Sequence, residues 1–318
     1  MQRRNFIHRA AIGGAGAAAA LAAPTHAQAD GPRRDRPTFV FVHGAWHGGW
    51  CWSEVVRLLA ERGYPSIALD LPGHGITAQL PQAYLQQPQN PAALAAEVSP
   101  LASLTLNDYR DHTLKVLRGL VEGRGERAIL VGHSLGGATL SAVGEAAPEL
   151  VKRLVYLTAF VPVAFNTVLA YLQQPNFATS EVPPLFVADP AVAACARINH
   201  NSADPAYVAA DKSAFYGDVA TPAFQAVANL LTPDEPIQAF TTPVVVTPQR
   251  WGRLSRSFIR CTEDRAIPIV VQDQMIADAD AFTPRNRFDQ KTLTTSHSAF
   301  AAAPQALTDL LIELASRA

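Results

Sequence analysis

The chain has 318 residues, of which 48% are hydrophobic and 17% are charged, so it can form a full buried core and is not a disordered protein. Its 26 Lys and Arg residues against 27 Asp and Glu residues give a net charge of -1, with no basic run after the first few residues that could follow a phosphate backbone. We therefore predict one large domain, or one domain with a small lobe, and no nucleic-acid partner.

The N-terminal segment is typical of a secretory signal. Arg3 and Arg4 precede a short apolar stretch made mostly of alanine, and residues 27–29 (AQA) match the A-x-A pattern of a cleavage site. The paired arginines resemble a bacterial twin-arginine signal. We expect residues 1–29 to be a signal peptide, residues 30–37 to be a linker, and the mature protein to be periplasmic or secreted. The apolar stretch is shorter than the ~20 residues of a membrane span, so we expect no membrane anchor.

Strand and helix patterns alternate through the first half of the folded chain. Short apolar runs that end at a glycine or turn predict strands, and amphipathic stretches predict helices. In chain order the pattern predicts a strand at 38–44, a helix at 51–63, a strand at 66–75, a helix at 106–123, a strand at 127–134, a helix at 135–150 and a strand at 151–162. This alternation predicts an α/β fold with a mostly parallel sheet and helices on both faces.

The alternation fails between residues 163 and 253. Prolines are frequent there, and two stretches that look helical, 204–217 and 221–231, have no strand between them. We predict a helical cap lobe at 163–253, inserted between two core segments at 38–162 and 254–318. The second core segment contains a predicted strand at 254–264, a helix around 267–279, a strand around 286–293 and a closing helix at 304–318.

Three cysteines, Cys51, Cys195 and Cys261, are an odd number for an exported chain, so at least one has no partner within the monomer. We predict structural thiols. No C-x-x-C motif or Cys/His cluster is present, so we predict no metal site, and the glycine-rich turn after residue 42 lacks the G-K-[ST] of a phosphate loop. We expect no cofactor.

The segment Gly132-His133-Ser134-Leu135-Gly136 fits the G-x-S-x-G motif and lies between a predicted strand and a predicted helix. Strand, sharp turn and helix together predict a nucleophile elbow, in which the serine hydroxyl projects from the carboxyl edge of the sheet.

A nucleophilic serine needs a base and an orienting carboxylate, which follow it in this fold in the order acid, then histidine. Two histidines follow Ser134: His297 comes after the last predicted strand, whereas His200 lies in the lobe. We predict His297 as the base and His200 as a polar residue of the surface or the lobe, with substrate contact as the alternative. The turn after the penultimate strand offers Asp264, which we predict as the acid, and Glu263 as the alternative.

An oxyanion hole needs two backbone N–H donors, which we predict at Leu135, directly after the serine, and at Ala45, in the loop after the first strand. Gly44 would leave room for the substrate carbonyl. His43 and His133 are predicted to pack or hydrogen-bond near the site rather than to act as the base. The predicted pocket residues are Gly44, Trp46, His133, Phe160 and Phe215.

The stretches FVFVHGAWHGGWCW, GHSLGG, LVYLTAFVP, AFYGD and IRCTEDRAIP together resemble one branch of the α/β-hydrolase superfamily. This branch contains plant methyl salicylate esterases of the salicylic-acid-binding protein type, hydroxynitrile lyases, and bacterial carboxylesterases that include pyrethroid hydrolases. The resemblance implies an α/β-hydrolase fold, the triad Ser134, Asp264 and His297, and oxyanion donors at Ala45 and Leu135. Residues 78–103 form a longer connection than is usual in the family. We expect this insert to border the active-site entrance, and its deletion to alter substrate preference more than stability.

Three hypotheses for the function remain open. The first is hydrolysis of small to medium apolar carboxylic esters, or of a lactone as a cyclic ester, by acyl-enzyme chemistry in a monomer or homodimer. The second is a hydroxynitrile lyase, and the third is a ligand-binding protein with a residual hydrolase site. The resemblance favours the esterase, because lyase relatives place a lysine after the catalytic histidine and a threonine after the histidine of the first loop. Here those positions hold Ser298 and Gly44.

Overall fold

The computed structural model describes residues 36–317, so the predicted signal peptide at 1–29 and most of the predicted linker at 30–37 lie outside the described residues. The strands are β1 (Phe39–Val42), β2 (Ser66–Leu69), β3 (Ala128–Ser134), β4 (Val151–Ala159), β5 (Cys195–Arg197), β6 (Asp234–Pro236), β7 (Arg256–Cys261) and β8 (Asp289–Leu293). The α-helices are α1 (Ser53–Glu61), α2 (Gln82–Leu85), α3 (Pro91–Ala96), α4 (Leu106–Arg124), α5 (Gly136–Ala146), α6 (Val168–Leu172), α7 (Pro190–Ala193), α8 (Pro205–Tyr216), α9 (Thr221–Ala228), α10 (Ile237–Thr241), α11 (Ile269–Phe282), α12 (Ala299–Ala302) and α13 (Pro304–Ser316).

Six strands form one parallel sheet in the order β2-β1-β3-β4-β7-β8. Its central strands are continuous apolar runs, such as the fully buried FVFV of β1, because helices cover a parallel sheet and leave no solvent-facing side. Helix α4 packs on α5, and α1 packs on α13. The predicted parallel sheet with flanking helices is therefore present. Since the strands are parallel, their carboxyl ends meet at one edge, and the loops that follow them share that edge.

The sequence pattern predicted a helical lobe at 163–253, but this segment is not purely helical. Besides α6 to α10 it contains an antiparallel two-stranded sheet, in which β5 pairs with β6. Each strand has three residues, and β6 reads Asp-Glu-Pro, so neither shows the alternating apolar pattern by which a strand is recognised. We call this pair of strands the cap sheet.

The insert 78–103 packs on the cap sheet through a buried arginine. Arg197 of β5 forms a bidentate ion pair with Asp234 of β6, with N–O distances of 2.6 and 2.7 Å. Its Nη1 also donates to the carbonyls of Leu94 and Glu97 in the insert. Because Arg197 is fully buried, these partners replace the water that its charge would otherwise require. The insert is therefore a structural support of the cap.

All three cysteines are buried and unpaired, which fits structural thiols. Burial raises the pKa of the Cys195 thiol to about 12, so it stays protonated and unreactive. Between residues 36 and 317, no helix combines the length and apolarity that a membrane crossing requires.

We expect Arg197→Met to destabilise the fold strongly, because it leaves the Asp234 carboxylate and two carbonyls buried without a donor. Breaking a buried ion pair on one side costs about 3–5 kcal/mol, which a urea titration would measure as a lower free energy of unfolding. Arg57→Ala is the matched control, since Arg57 pairs with Glu54 and Glu61 on the exposed face of α1 and should change the midpoint little. Equal effects of the two substitutions would contradict the role of Arg197.

Candidate active site

Ser134 is the last residue of β3 and adopts a backbone conformation that residues with a side chain rarely take. Its φ is +54°, in the left-handed region, and the next residue, Leu135, returns to helical angles and leads into α5. This sharp reversal from strand to helix directs the Ser134 side chain into a cavity at the carboxyl edge of the sheet. Strain of this kind persists only where the surrounding structure holds it.

Glycines on two sides of Ser134 make the turn sterically possible. A Cβ atom on Gly136 would lie 2.6 Å from the carbonyl oxygen of His43, so α5 can start this close to β1 only without a side chain. A Cβ on Gly44 would lie 2.6 Å from the Cβ of Ser134. We call residues 43–48, which follow β1, the first loop. Gly44 allows this loop to pack against the serine itself, whereas the sequence suggested that it leaves space for a substrate carbonyl.

Asp264 and His297 form a buried pair next to this turn. His297 Nδ1 donates to Asp264 Oδ2 at 2.7 Å. The other carboxylate oxygen, Oδ1, accepts from the backbone N–H groups of Ala266 and Ile267 at 2.7 and 2.8 Å. The carboxylate is thereby fixed in orientation, and it fixes the imidazole with a proton on Nδ1. The neighbouring Glu263, the alternative acid, is exposed.

Thr158 also donates a hydrogen bond to the Asp264 carboxylate, and the sequence did not predict this contact. It lies at a shift in the β3–β4 register and has a φ of +35°, a β-bulge conformation that re-aims a side chain. Its hydroxyl donates to Asp264 Oδ2. The only signal in the sequence is a threonine near the end of a strand, which is common in any sheet.

The loop that carries His297, residues 294–298, is called the histidine loop, and three hydrogen bonds hold it. His133 Nε2 donates to the carbonyl of His297 at 3.0 Å, and burial together with the nearby His297 lowers the pKa of His133 well below its usual value. Asp218 accepts from the Ser296 N–H at 2.9 Å, and the Phe215 carbonyl accepts from the Ser298 N–H at 3.1 Å. No hydrogen bond joins Ser134 to His297 in the part of the chain that is described. Such catalytic bonds often tighten only when substrate binds.

His200, the second histidine after Ser134, is not part of this arrangement. It pairs with Asp211 inside the cap, with Nδ1 2.8 Å from the carboxylate oxygen. It therefore lies where the sequence predicted, as a polar residue of the lobe.

The two predicted oxyanion donors, Ala45 and Leu135, both line the cavity beside Ser134. Within residues 36–317, neither backbone N–H donates to a protein acceptor. Buried amides without an acceptor are rare in folded proteins, so two of them at one cavity are typical of a site that receives an oxygen atom.

His43 sets the direction of the Ala45 amide. Its Nδ1 donates to the Gly44 carbonyl at 2.8 Å, while its Nε2 accepts from the Leu71 N–H at 3.0 Å. Since the C=O and N–H of a trans peptide point in opposite directions, holding the Gly44 carbonyl aims the Ala45 N–H away from His43. Burial, together with the nearby His74, lowers the pKa of His43 well below its usual value, which keeps this neutral tautomer.

The next peptide, Ala45–Trp46, is also held at both ends. His47 Nδ1 donates to the Ala45 carbonyl at 2.7 Å, and its Nε2 accepts from the Tyr216 hydroxyl at 2.7 Å. Burial lowers the pKa of His47 to about 3, so it too stays neutral. The Trp46 N–H donates to Glu235 of the cap sheet at 3.2 Å.

The cavity at Ser134 has a volume of about 230 Å³ and is almost entirely apolar. Its lining comes from the core loops and from the cap, and consists of Ala45, Trp46, Ser134, Leu135, Phe160, Leu169, Leu172, Gln173, Phe177, Val182, Pro183, Phe186, Phe215, Phe240, Ala266 and Ile267. Three of the predicted pocket residues, Trp46, Phe160 and Phe215, are among them.

Two predicted pocket residues and the insert lie elsewhere. Gly44 and His133 do not line the cavity, because they pack against the backbone of the serine and histidine loops. No residue of 78–103 lines it either, since the insert is bound to the cap sheet through Arg197. That the insert borders the active-site entrance stays a prediction. Residues 36–317 contain no group of three or more His, Cys, Asp or Glu side chains that could hold a metal ion.

Comparisons with known proteins agree with this architecture. The family model described as "Alpha/beta hydrolase family" matches residues 39–310. The chain is 28% identical to putative methylesterase 15 of Arabidopsis thaliana over 87% of its length, but it spans only 56% of that protein. It is also 28% identical to salicylic acid-binding protein 2 of Nicotiana tabacum, covering 88% of this chain and 97% of that one.

Among solved structures, a pyrethroid hydrolase from Sphingobium faniae is similar with a TM-score of 0.66 and 24% identity, over 88% of this chain and 97% of that one. Likeness at this identity shows the fold. The resemblance and the fold predicted from the sequence are thereby confirmed.

We expect Gly44→Ala to destabilise the fold, because the new Cβ would overlap the Ser134 Cβ. Overpacking at a buried position costs about 1–3 kcal/mol, which would appear as a lower thermal midpoint. Gly119→Ala is the matched control, since a Cβ on this exposed residue of α4 meets nothing within 4 Å and should stabilise the helix slightly. An unchanged midpoint for Gly44→Ala would show that the loop is not packed against the serine.

Proposed function

Because the chain belongs to the α/β-hydrolase family, we propose that it is a serine esterase that cleaves small to medium apolar carboxylic esters. One observation carries the proposal: a strained serine and two amides without a protein acceptor line the same apolar cavity, beside a buried His–Asp pair. Relatives named as methylesterases and as a pyrethroid hydrolase support an ester as the substrate.

In the first half of the proposed reaction, Ser134 Oγ attacks the ester carbonyl carbon while His297 Nε2 takes the hydroxyl proton. The carbonyl oxygen becomes an oxyanion and accepts from the Ala45 and Leu135 N–H groups. Asp264 keeps the imidazole in the tautomer with a free Nε2 and stabilises the positive charge that forms on it. His297 then gives its proton to the leaving alkoxide, and the acyl group remains on Ser134.

In the second half, a water molecule replaces the alcohol. His297 takes one proton from the water, whose oxygen attacks the acyl carbon, and the oxyanion forms again at Ala45 and Leu135. Collapse of this intermediate returns the proton to Ser134 and releases the acid. No step requires a metal ion or cofactor.

The lining of the cavity restricts the class of ester. It includes no charged side chain, so a charged substrate would lose its hydration without gaining a partner. Its volume of about 230 Å³ lies below the roughly 300–1,000 Å³ of sites for drug-sized ligands. Neutral esters with a short chain or a single ring fit this description best, and a lactone of similar size would react in the same way.

The lyase alternative lacks the groups it requires. Cyanide departure needs a positive charge next to the base, and the residue after His297 is the buried, uncharged Ser298. Gly44 cannot be replaced by a hydroxyl-bearing residue without displacing Ser134. We therefore expect no cyanide release from a cyanohydrin.

We expect Ser134→Ala to lower the turnover of p-nitrophenyl esters at least about a thousandfold, because no other group can form the acyl-enzyme. A fluorophosphonate should label the wild type once, at Ser134, as peptide mass spectrometry would show. Ser53→Ala, at an exposed serine, should retain wild-type turnover and labelling. Cyanohydrin cleavage without ester turnover would favour the lyase, and tight binding without any turnover would favour the ligand-binding protein.

We also propose that the protein is exported by the twin-arginine route, on the basis of Arg3, Arg4 and the A-x-A pattern at 27–29. Replacing both arginines by lysine should leave the precursor in the cytoplasm, because the receptor for this route reads the arginine pair. Fractionation of an expressing bacterium followed by immunoblotting measures this. Equal amounts of cleaved, exported protein from the wild type and the double variant would contradict the route.

A further inference from the structure

We propose that Glu235, a residue of the cap, is a positioning residue of the oxyanion hole, a role that rests on the esterase function proposed above. Glu235 does not line the cavity and cannot touch a substrate there. It acts through the backbone of Trp46, the residue that follows the donor Ala45.

Glu235 lies at the centre of a buried cluster that joins three parts of the molecule. Its side chain is 1% exposed. Oε2 accepts from the Trp46 N–H at 3.2 Å and lies 2.9 Å from Nε2 of His74, while Oε1 accepts from the Tyr109 hydroxyl at 2.8 Å. The carboxylate thus connects the cap sheet to the first loop, to the turn after β2, and to α4.

His74 supplies the positive charge that this buried carboxylate requires. Both of its ring nitrogens face oxygen atoms, with Nδ1 3.1 Å from the Pro72 carbonyl and Nε2 2.9 Å from Glu235 in a contact that is ionic rather than a linear hydrogen bond. Two acceptors favour the doubly protonated ring. Burial lowers the pKa of His74, but the Glu235 carboxylate outweighs burial and raises it above the usual value. Asp70 also favours the charged form.

Trp46 needs external support because its φ of +62° is unfavourable for a residue with a side chain. Four hydrogen bonds hold it, and all come from the cap. Besides the bond to Glu235, the N–H and the hydroxyl of Thr232 donate to the Trp46 carbonyl at 2.8 and 3.2 Å, and the Trp46 indole N–H donates to the Ala196 carbonyl at 2.9 Å. Without Glu235, the Ala45–Trp46 peptide loses the acceptor that fixes its N–H end and is held only at its carbonyl, by His47. Because Ala45 Cα belongs both to this peptide and to the one before it, rotation toward a relaxed φ also displaces the Ala45 nitrogen, the proposed oxyanion donor.

Rotation of this peptide would affect catalysis more than substrate binding. An oxyanion donor acts only when its nitrogen is about 2.7–3.1 Å from the developing negative oxygen. A displacement of roughly 1 Å can cost about a hundredfold in rate. The Trp46 indole, which forms part of the apolar wall, stays bound to the Ala196 carbonyl, so kcat should fall while KM stays nearly constant.

The experiment compares Glu235→Ala and Glu235→Gln with Asp211→Asn in the full chain, using a p-nitrophenyl ester. Asp211 is the matched control, because it is also a buried cap carboxylate paired with a histidine, His200, but has no contact with the first loop. We expect Glu235→Ala to lower kcat about 10- to 100-fold with KM within threefold. Inhibition by a trifluoromethyl ketone, which forms an anionic tetrahedral adduct, should weaken by a similar factor.

Glu235→Gln should recover most of kcat, because the amide oxygen can still accept from the Trp46 N–H and the amide NH₂ can donate to Tyr109. Asp211→Asn should lower the thermal midpoint but leave kcat within threefold of wild type. If Glu235→Ala does not fold, the double variant His74→Phe with Glu235→Met replaces the buried ion pair by apolar groups, which is often tolerated, and should show the same loss of kcat.

A kcat within threefold of wild type in the folded Glu235→Ala or double variant would overturn the inference, as would an equal loss in Asp211→Asn. Failure of the esterase proposal gives a different result. In that case the wild type does not turn over esters, or Ser134→Ala turns them over as fast as the wild type.

Discussion

The backbone conformation of Ser134 is the constraint on which the site depends. A φ of +54° at the end of β3 directs the hydroxyl into the cavity, and the same reversal leaves the Leu135 N–H without a protein acceptor at the start of α5. The sharp turn brings α5 and the first loop so close that Gly136 and Gly44 have no room for a Cβ atom. The placement of the proposed nucleophile and of one proposed oxyanion donor, and the need for two glycines, thus follow from a single strained residue. The strain is tolerated because the surrounding sheet and helix are buried and fully packed.

The cap supports the two loops that carry the proposed catalytic groups, and it also covers the cavity. Its residues hold the first loop through Glu235, Thr232 and Ala196, and they hold the histidine loop through Asp218 and the Phe215 carbonyl. Both loops that carry the proposed catalytic groups therefore rest on hydrogen bonds from the cap. The buried Arg197 ties the insert 78–103 to the same cap sheet, so a segment that lines no part of the cavity still supports the loop that does.

The sequence predicted the features that are encoded locally. The G-x-S-x-G turn and the alternating strands each depend on a few adjacent residues. Asp264 and His297 could be predicted from their places after the last two strands of the α/β-hydrolase fold, and the structure pairs them next to the turn that carries Ser134. Other features that depend on pairing between distant residues were missed. The three-residue strands β5 and β6 have no periodic pattern. A β-bulge directs the side chain of Thr158, and Glu235 is 189 residues from the Trp46 amide that it binds. The packing of the insert on the cap sheet was also missed, because it depends on a contact with Arg197 about 100 residues away in the chain.

The most direct test of this account is a crystal structure of the protein after reaction with an apolar boronic acid, which mimics the tetrahedral intermediate. We predict a covalent bond from Ser134 Oγ to boron, one boronate oxygen about 2.7–3.1 Å from both the Ala45 and the Leu135 nitrogen atoms, and the organic group among the aromatic side chains of the cavity. A boronate that does not bond to Ser134, or whose oxygen atoms point away from both amides, would contradict the assignment of the nucleophile and the oxyanion hole.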